Sequence, residues 1–277
     1  MDAFSYVDIA RSGVMNMAID EALLNFVDQQ QTIVLRLYQW SEPTLSLGYF
    51  QRLEDRSLHP HSRNLPVVRR ATGGGAIVHH HDLTYSLCIP QLQSSVGAAP
   101  AVYHAVHGAV VSWLRARDVP ADQWSDSPSS DSKLVNALRR SALSADESTA
   151  VGPARSSGEF LCFRRRSAGD VVANEHKVLG SAQRRAKGAL LQHGSLLLAT
   201  SDYAPSLTGL SQMSPRSNFR VADLRQYARE LKQQISAAIA TVTKVNCSEE
   251  FTRVLELEQR AMENVAKFSE DAWLSRV

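Results

Sequence analysis

Three consecutive glycines, Gly73-Gly74-Gly75, stand between two strand-like stretches, Pro66 to Arg70 and Ala76 to His79. Glycine adopts positive φ without steric cost, and without Cβ it lets backbone N–H groups approach a ligand closely. The two strands must therefore be joined by a tight loop. Arg69 and Arg70 flank it and bring charge for an anionic group. No Gly-Lys-Ser/Thr follows, and the glycine spacing is not that of a dinucleotide fingerprint, so nucleotide-loop readings fall away. Taken alone, the triplet reads equally well as a plain tight turn.

The strands around it are clear. Ile33 to Gln39 and Thr44 to Phe50 are predicted as strands with Ser41-Glu42-Pro43 as the turn between them. Leu83, Tyr85, Leu87 and Ile89 alternate with Thr84, Ser86 and Cys88, giving a strand from Leu83 to Ile89. Asp170 to Ala173 and Lys177 to Gln183 read as a hairpin around Asn174-Glu175, and Ala189 to Ala199 reads as another strand pair or edge. Helical spacing marks Asn16 to Val27, with Asn16 as its cap, and Ala101 to Ala116, Ala222 to Ala240 and Glu249 to Phe268. Ser125 to Gly158 holds ten serines in 34 residues and no aromatic, and is predicted as a flexible surface insertion with a short helix at Lys133 to Leu143. Without it, the 277-residue chain suits a single domain. The expected class is α+β, with a mostly antiparallel sheet and helices on one side.

Charge is balanced overall at +2, which argues against a nucleic-acid coat. Locally it is not. From Phe160 to Gly194 seven Lys and Arg face only Asp170 and Glu175, a net of +5, whereas Ser201 to Val277 is neutral. A basic face of this kind fits one acidic partner docking at one place, or simply a solvated hairpin. No apolar run is long enough to span a membrane, and Met1 to Ser5 carries no basic, then apolar leader. Cys88, Cys162 and Cys247 are too few and too scattered for a disulfide scaffold. A cytoplasmic protein is expected.

Cys162 is the cysteine with chemical promise. It sits in Phe160-Leu161-Cys162-Phe163, directly before Arg164-Arg165-Arg166, and nearby cations stabilise thiolate over thiol. Cys88 and Cys247 read as packing residues. Lys177 opens the return strand of the hairpin, with Gly180 leaving room beside it, and is the candidate partner of Cys162. His79-His80-His81 does not suit a metal: on a strand His79 and His81 face one side and His80 the other. No metal site is expected.

Taken in order, Arg69-Arg70-x-Thr72-Gly73-Gly74-Gly75-Ala76-x-Val78-His79, Leu83-Thr84-Tyr85-Ser86, Lys177-Val178-Leu179-Gly180-Ser181-Ala182-Gln183 and Leu191-Gln192-His193-Gly194-Ser195 resemble the lipoate/biotin protein ligase superfamily. Asn16-Met17-Ala18-x-Asp20-Glu21-Ala22-Leu23 is similar to that family's first helix. Cys162-Phe163, fifteen residues before Lys177, resembles the branch of ligase-like octanoyltransferases that use a cysteine. The resemblance implies the ligase catalytic-domain fold and an acyltransferase without a cofactor. Such an enzyme takes octanoyl from acyl carrier protein onto Cys162 and passes it to a lysine of an acidic acceptor, glycine cleavage H protein or a 2-oxoacid dehydrogenase lipoyl domain. It implies catalytic roles for Cys162 and Lys177. Substrate contacts are implied for Arg70, Thr72, Gly73, Gly74, Gly75, His79, Tyr85, Gly180, Ser181, Ala182, His193 and Gly194. Two positions depart from the pattern. His80 stands where the family usually has Asp, and Gly75 is the ligase-like residue where the cysteine branch often has Arg. They keep an ATP-dependent lipoate or octanoate ligase and a catalytically silent binding homologue as competing readings.

Overall fold

The computed structural model describes residues 1–91, 98–125, 159–186, 188–213, 218–247 and 249–277. The predicted insertion, with its short helix, therefore lies outside the described residues except for Ser125.

Strands β1 (Ala3–Val7), β2 (Ile33–Tyr38), β6 (Asp82–Pro90), β7 (Ala121–Gln123), β8 (Val171–Ala173), β9 (His176–Ala186), β10 (Ala189–Leu197) and β11 (Glu249–Glu250) form the larger sheet. Its order is β11-β1-β2-β6-β10-β9-β8-β7. The stretch from Ala189 is one interior strand, β10, and neither a strand pair nor an edge. The β1 strand runs parallel to both its neighbours, and every other pairing in this sheet is antiparallel. A second sheet joins β3 (Thr44–Leu47) to β4 (Val67–Arg69) in parallel and to β5 (Ile77–His79) in antiparallel register. The glycine triplet thus links two strands that lie on opposite sides of β3.

Helices cover both faces of the larger sheet, not one. Every residue of β6 is buried, so its alternation sets an apolar face against a buried one that carries Asp82, Thr84 and Ser86. Leu83, Tyr85, Leu87 and Ile89 pack beneath α2 (Ala98–Arg115) and α3 (Leu224–Thr243). Cys88 points the other way, joining Val34 and Leu191 under α1 (Gly13–Gln30) and α4 (Val254–Ser269). Each fully buried Leu or Ile in such a layer contributes about 1.5–3 kcal/mol. Cys88 is a packing residue, and burial pushes its thiol well above the usual range. Cys247 is also buried, and its thiol too is raised by burial.

Two helix ends differ from expectation. Ser12, not Asn16, caps α1 by accepting from Met15 N–H. Asn16 lies one turn inside, fully buried; its amide donates to Arg11 O and Gln39 O, and its Oδ1 accepts from Arg36 Nη2 at 2.7 Å. Glu249–Glu250 extends the sheet edge beside β1 instead of opening α4. The hairpin turn is as read: Asn174 and Glu175 both take left-handed φ, 44° and 65°, which suits a two-residue connection.

Candidate active site

The glycine loop and the Cys162 turn are zipped together. Ala76 N–H donates to Phe160 O at 2.9 Å and Cys162 N–H to Ala76 O at 2.8 Å. Gly75 permits this approach, since a Cβ there would stand 2.9 Å from Cys162 N and 3.0 Å from its Cα. The result brings a nucleophile candidate from a one-turn 3-10 helix, Cys162–Arg164, into the lining of a pocket.

Cys162, Arg70, Thr72, Gly73, Gly74, His79, Gly180, Ser181, Ala182, His193 and Gly194 line that pocket. Three predicted residues stand behind its wall. Gly75 supports the Cys162 turn, Tyr85 donates to Ser181 Oγ at 2.7 Å, and Lys177 lies behind Cys162 with Nζ 3.6 Å from Sγ. Lys177 is buried, although a strand lysine is ordinarily exposed. Its Nζ also contacts Cys162 O at 3.4 Å, Arg165 O at 3.2 Å and Asp170 Oδ2 at 2.8 Å.

Arg70 is fully enclosed and held by neutral oxygens: Ser46 O and Oγ, Gly73 O and Gly75 O. Burial pushes it down to about 10, with Cys162 and Tyr38 pulling the other way. It fixes the shape of the glycine loop. From Ser46 a relay continues. With Arg70 donating to Ser46 Oγ, the hydroxyl proton faces His79 Nε2 at 2.8 Å, so His79 carries its proton on Nδ1 and donates it to Asp82 at 2.7 Å. Trp40 stacks on the imidazole at 3.8 Å. Burial lowers His79, keeping the ring neutral. Burial would raise Asp82, but His79, Ser195 and Thr84 outweigh it and hold the carboxyl below the usual range. Asp82 therefore serves the motif histidine, while His80 bonds Ser201 and stacks on His81 at 3.6 Å. The expected strict alternation of the three histidines ends at His79, where β5 ends.

A second relay lies behind Ser181. Gly169 O can only accept, so His107 Nδ1 carries the proton in their 2.6 Å bond and Nε2 accepts from Ser181 Oγ at 2.6 Å. Ser181 accepts from Tyr85, Tyr85 from Gln192 at 2.6 Å, and Gln192 from Gln183 at 2.7 Å. Burial pushes His107 down to about 3. Gly194 makes room for this chain: a Cβ there would be 2.1 Å from Tyr85 Cε1 and 2.4 Å from Ser181 Oγ. On the opposite wall His193 contacts Thr72 Oγ1 at 3.2 Å and lies 2.7 Å from Asp20 Oδ2, out of line for a hydrogen bond. Asp20 also accepts from Arg36, Tyr38 and Ser86. The first-helix motif is thus a buried polar anchor for the pocket wall.

Arg69 does not serve an anionic ligand. It is buried and donates to the carbonyls of Gly48, Tyr49, Gln51, Trp273 and Leu274, tying the C-terminal segment to the loop before the glycines. The basic stretch also divides. Arg164, Arg165 and Arg166 are exposed beside Cys162, while Arg184 stacks on Tyr49 and donates to Ala71 O.

A family model for the lipoyl protein ligase A/B catalytic domain matches residues 12–246. The chain belongs to that family. Among its relatives, the octanoyltransferase LipM of Clostridioides difficile is 34% identical over 193 residues, covering 67% of this chain and 62% of that protein. The octanoyltransferase LipM of Bacillus subtilis is 34% identical over 194 residues, 68% of this chain and 62% of that one. The match thus spans less than two thirds of these relatives' length. A Thermoplasma acidophilum protein solved with bound lipoic acid shares the fold at a TM-score of 0.66 and 19% identity, over 99% of this chain and 100% of that one. Lipoate-protein ligase A bound with ATP does so at 0.64 and 21%, over 99% of each. The ligase catalytic fold expected from sequence is therefore observed.

Within this lipoyl ligase family fold, Met17, Tyr38, Trp40, Ile77, Thr84 and Ser195 complete the pocket lining. Tyr38, Trp40 and Ile77 have the look of ordinary core residues in the sequence, whereas Met17, Thr84 and Ser195 stand unmarked within the motifs that carry the resemblance. Asp170, Asp82 and His107 were also missed. Only Asp82, three residues after His79, carries a local signal. Among the described residues, no group of His, Cys, Asp and Glu could hold a metal ion, and no helix is long and apolar enough to cross a membrane.

Proposed function

We propose that this chain is an octanoyltransferase of lipoate assembly, a single catalytic domain in which Cys162 carries the acyl group. The observation behind it is a thiol in the pocket lining with an ammonium 3.6 Å from its sulfur. The name octanoyltransferase, borne by relatives at 34% identity, supports the same reading.

In the first half-reaction the Cys162 thiolate attacks the thioester carbonyl of octanoyl-acyl carrier protein. The new C–S bond forms as the bond to the carrier's phosphopantetheine sulfur breaks, and that sulfur takes a proton. The target lysine of a lipoyl domain then attacks as a neutral amine. A C–N bond replaces the C–S bond, and the amine's proton restores the Cys162 thiol. The donor thioester is already activated and the amide product is more stable, so no ATP is consumed. Lys177 steadies negative charge on sulfur and on the carbonyl oxygen as it develops. Arg70, Thr72, Gly73, Gly74, His79, Gly180, Ser181, Ala182, His193 and Gly194 shape the acyl site, and burying six methylenes contributes about 5 kcal/mol. Exposed Arg164, Arg165 and Arg166 give acidic carrier and acceptor proteins a docking face close to the sulfur.

Gly75 bears on the ATP-dependent alternative. Its ligase-like identity is accounted for by the Cys162 backbone that packs on it, so it does not by itself speak for nucleotide binding. The deciding experiment is intact mass spectrometry after incubation with octanoyl-acyl carrier protein. A hydroxylamine-labile octanoyl adduct, absent in Cys162→Ser, is expected. ATP-dependent modification of a lipoyl domain by Cys162→Ser, with no adduct on the wild type, would replace this reading with the ligase. Modification under neither condition would leave the binding homologue.

A further inference from the structure

Lys177 makes its shortest contact away from the sulfur. Nζ is 2.8 Å from Asp170 Oδ2 and 3.6 Å from Cys162 Sγ, and the side chains of the ion pair are 4% and 2% exposed. Asp170 is itself fixed at both oxygens: Ser167 N–H donates to Oδ2 at 2.7 Å and the Tyr103 hydroxyl to Oδ1 at 3.2 Å. Gly180 lets the lysine fold back over the strand, since a Cβ there would be 2.5 Å from Lys177 Cε and 2.8 Å from Nζ.

We propose that Asp170 is a positioning residue that holds Lys177 as an ammonium, so that Lys177 acts on Cys162 as a fixed cation and not as the base that takes the thiol proton. The proposal rests on reading Cys162 as the nucleophile. Its argument is a count of donors. Asp170 Oδ2, Arg165 O and Cys162 O all surround Nζ, and a carboxylate or carbonyl oxygen can only accept. Satisfying three acceptors takes three N–H bonds, which is an ammonium. A neutral amine has two, and would turn its lone pair toward an oxygen. No lone pair is then available to receive a proton from sulfur. A buried ammonium without a counterion would be costly, and the carboxylate at 2.8 Å removes that cost.

Among the described residues, charged and titratable groups face the pair and Cys162 from three elements. Arg165 shares the Cys162 turn, Tyr103 and His107 come from α2, and Arg70 faces from the glycine loop. His107 is neutral there, with burial and the Lys177 charge both disfavouring its protonation. The thiol proton consequently leaves to solvent before attack, and the departing donor thiolate takes its own from solvent.

The test is iodoacetamide alkylation of Cys162 between pH 6 and 9, read by peptide mass. Asp170→Asn is expected to slow alkylation at pH 7 at least tenfold and move the profile to higher pH, with Asp170→Glu restoring most of the rate. Tyr103→Phe, which loosens Asp170 without touching Lys177, should slow it about threefold in the same direction. A folded Asp170→Asn protein that alkylates at the wild-type rate or faster overturns the proposal. Should that variant fail to fold, a wild-type profile in Tyr103→Phe overturns it. Alkylation needs no acyl donor, so the outcome is independent of whether octanoyl is the group transferred, which the adduct experiment decides.

Discussion

Lowering the pH should loosen this protein through His107 before any carboxylate titrates. The imidazole is fully buried, its Nδ1–H committed to Gly169 O and its Nε2 to the Ser181 hydroxyl. Protonation at Nε2 would take away the acceptor of the Ser181 hydroxyl proton, with Tyr85 already donating to the same oxygen. The group titrates at 6.5 in an unfolded chain and at about 3 in the fold. Between those values the unfolded chain binds the extra proton, so stability falls as pH falls. From pH 7.5 to 5.0 this one group costs about 2 kcal/mol. Asp8, Asp20 and Asp82 act in the same sense, but in a lower pH window. Their folded values lie below the ordinary 3.8, so their stabilisation is fully present above it and is lost only at lower pH. His79 adds to the loss in the His107 window, because its folded value is also lowered. The assay is therefore a difference: urea unfolding followed by tryptophan fluorescence at pH 7.5 and 5.0, for wild type and His107→Gln. The glutamine amide keeps a donor and an acceptor but no titrating nitrogen. Wild type should lose about 2 kcal/mol more than the variant over this interval. Equal losses would refute the reasoning.

Three further outcomes follow from the packing. Gly194→Ala should destabilise by about 2–3 kcal/mol, seen as a lower urea midpoint, because its methyl falls 2.1 Å from the Tyr85 ring; an unchanged midpoint would mean the ring is not locked. Gly75→Ala should slow octanoyl adduct formation more than tenfold with only a small fall in Tm, since its methyl pushes on the Cys162 backbone rather than on the core; adduct formation at the wild-type rate would count against the zipped arrangement. Asp20→Ala strips one carboxylate from the fully buried Arg36 and should cost about 3–5 kcal/mol in denaturant unfolding; a loss below 1 kcal/mol would show that Asp8 suffices for Arg36.

Local pattern carried the strands well, because hydrophobic alternation and turn residues act over a few positions. The Asn174-Glu175 turn and the glycine loop belong to this class. What escaped is set by neighbours distant in sequence. Asn16 has the composition of a cap, yet its amide is taken by Arg11, Gln39 and Arg36, and Ser12 caps instead. The full burial of β6 follows from helices more than a hundred residues apart meeting it from both sides. The Cys162–Lys177 pairing was legible from spacing and resemblance. Asp170 was not, since nothing in Ser167-Ala168-Gly169-Asp170 distinguishes a loop aspartate from one ion-paired in the interior.

The bridge between Ala76 and the Cys162 turn separates chemistry from architecture. Cys162 gives the scaffold its amide hydrogen and its Cα surface, while its sulfur holds up nothing in the core. The reactive atom is in this sense an interchangeable fitting on a permanent mount. Serine or alanine at 162 would keep the same amide hydrogen and Cα surface, so the cradle and the exposed Arg164, Arg165 and Arg166 beside it are expected to stay as they are.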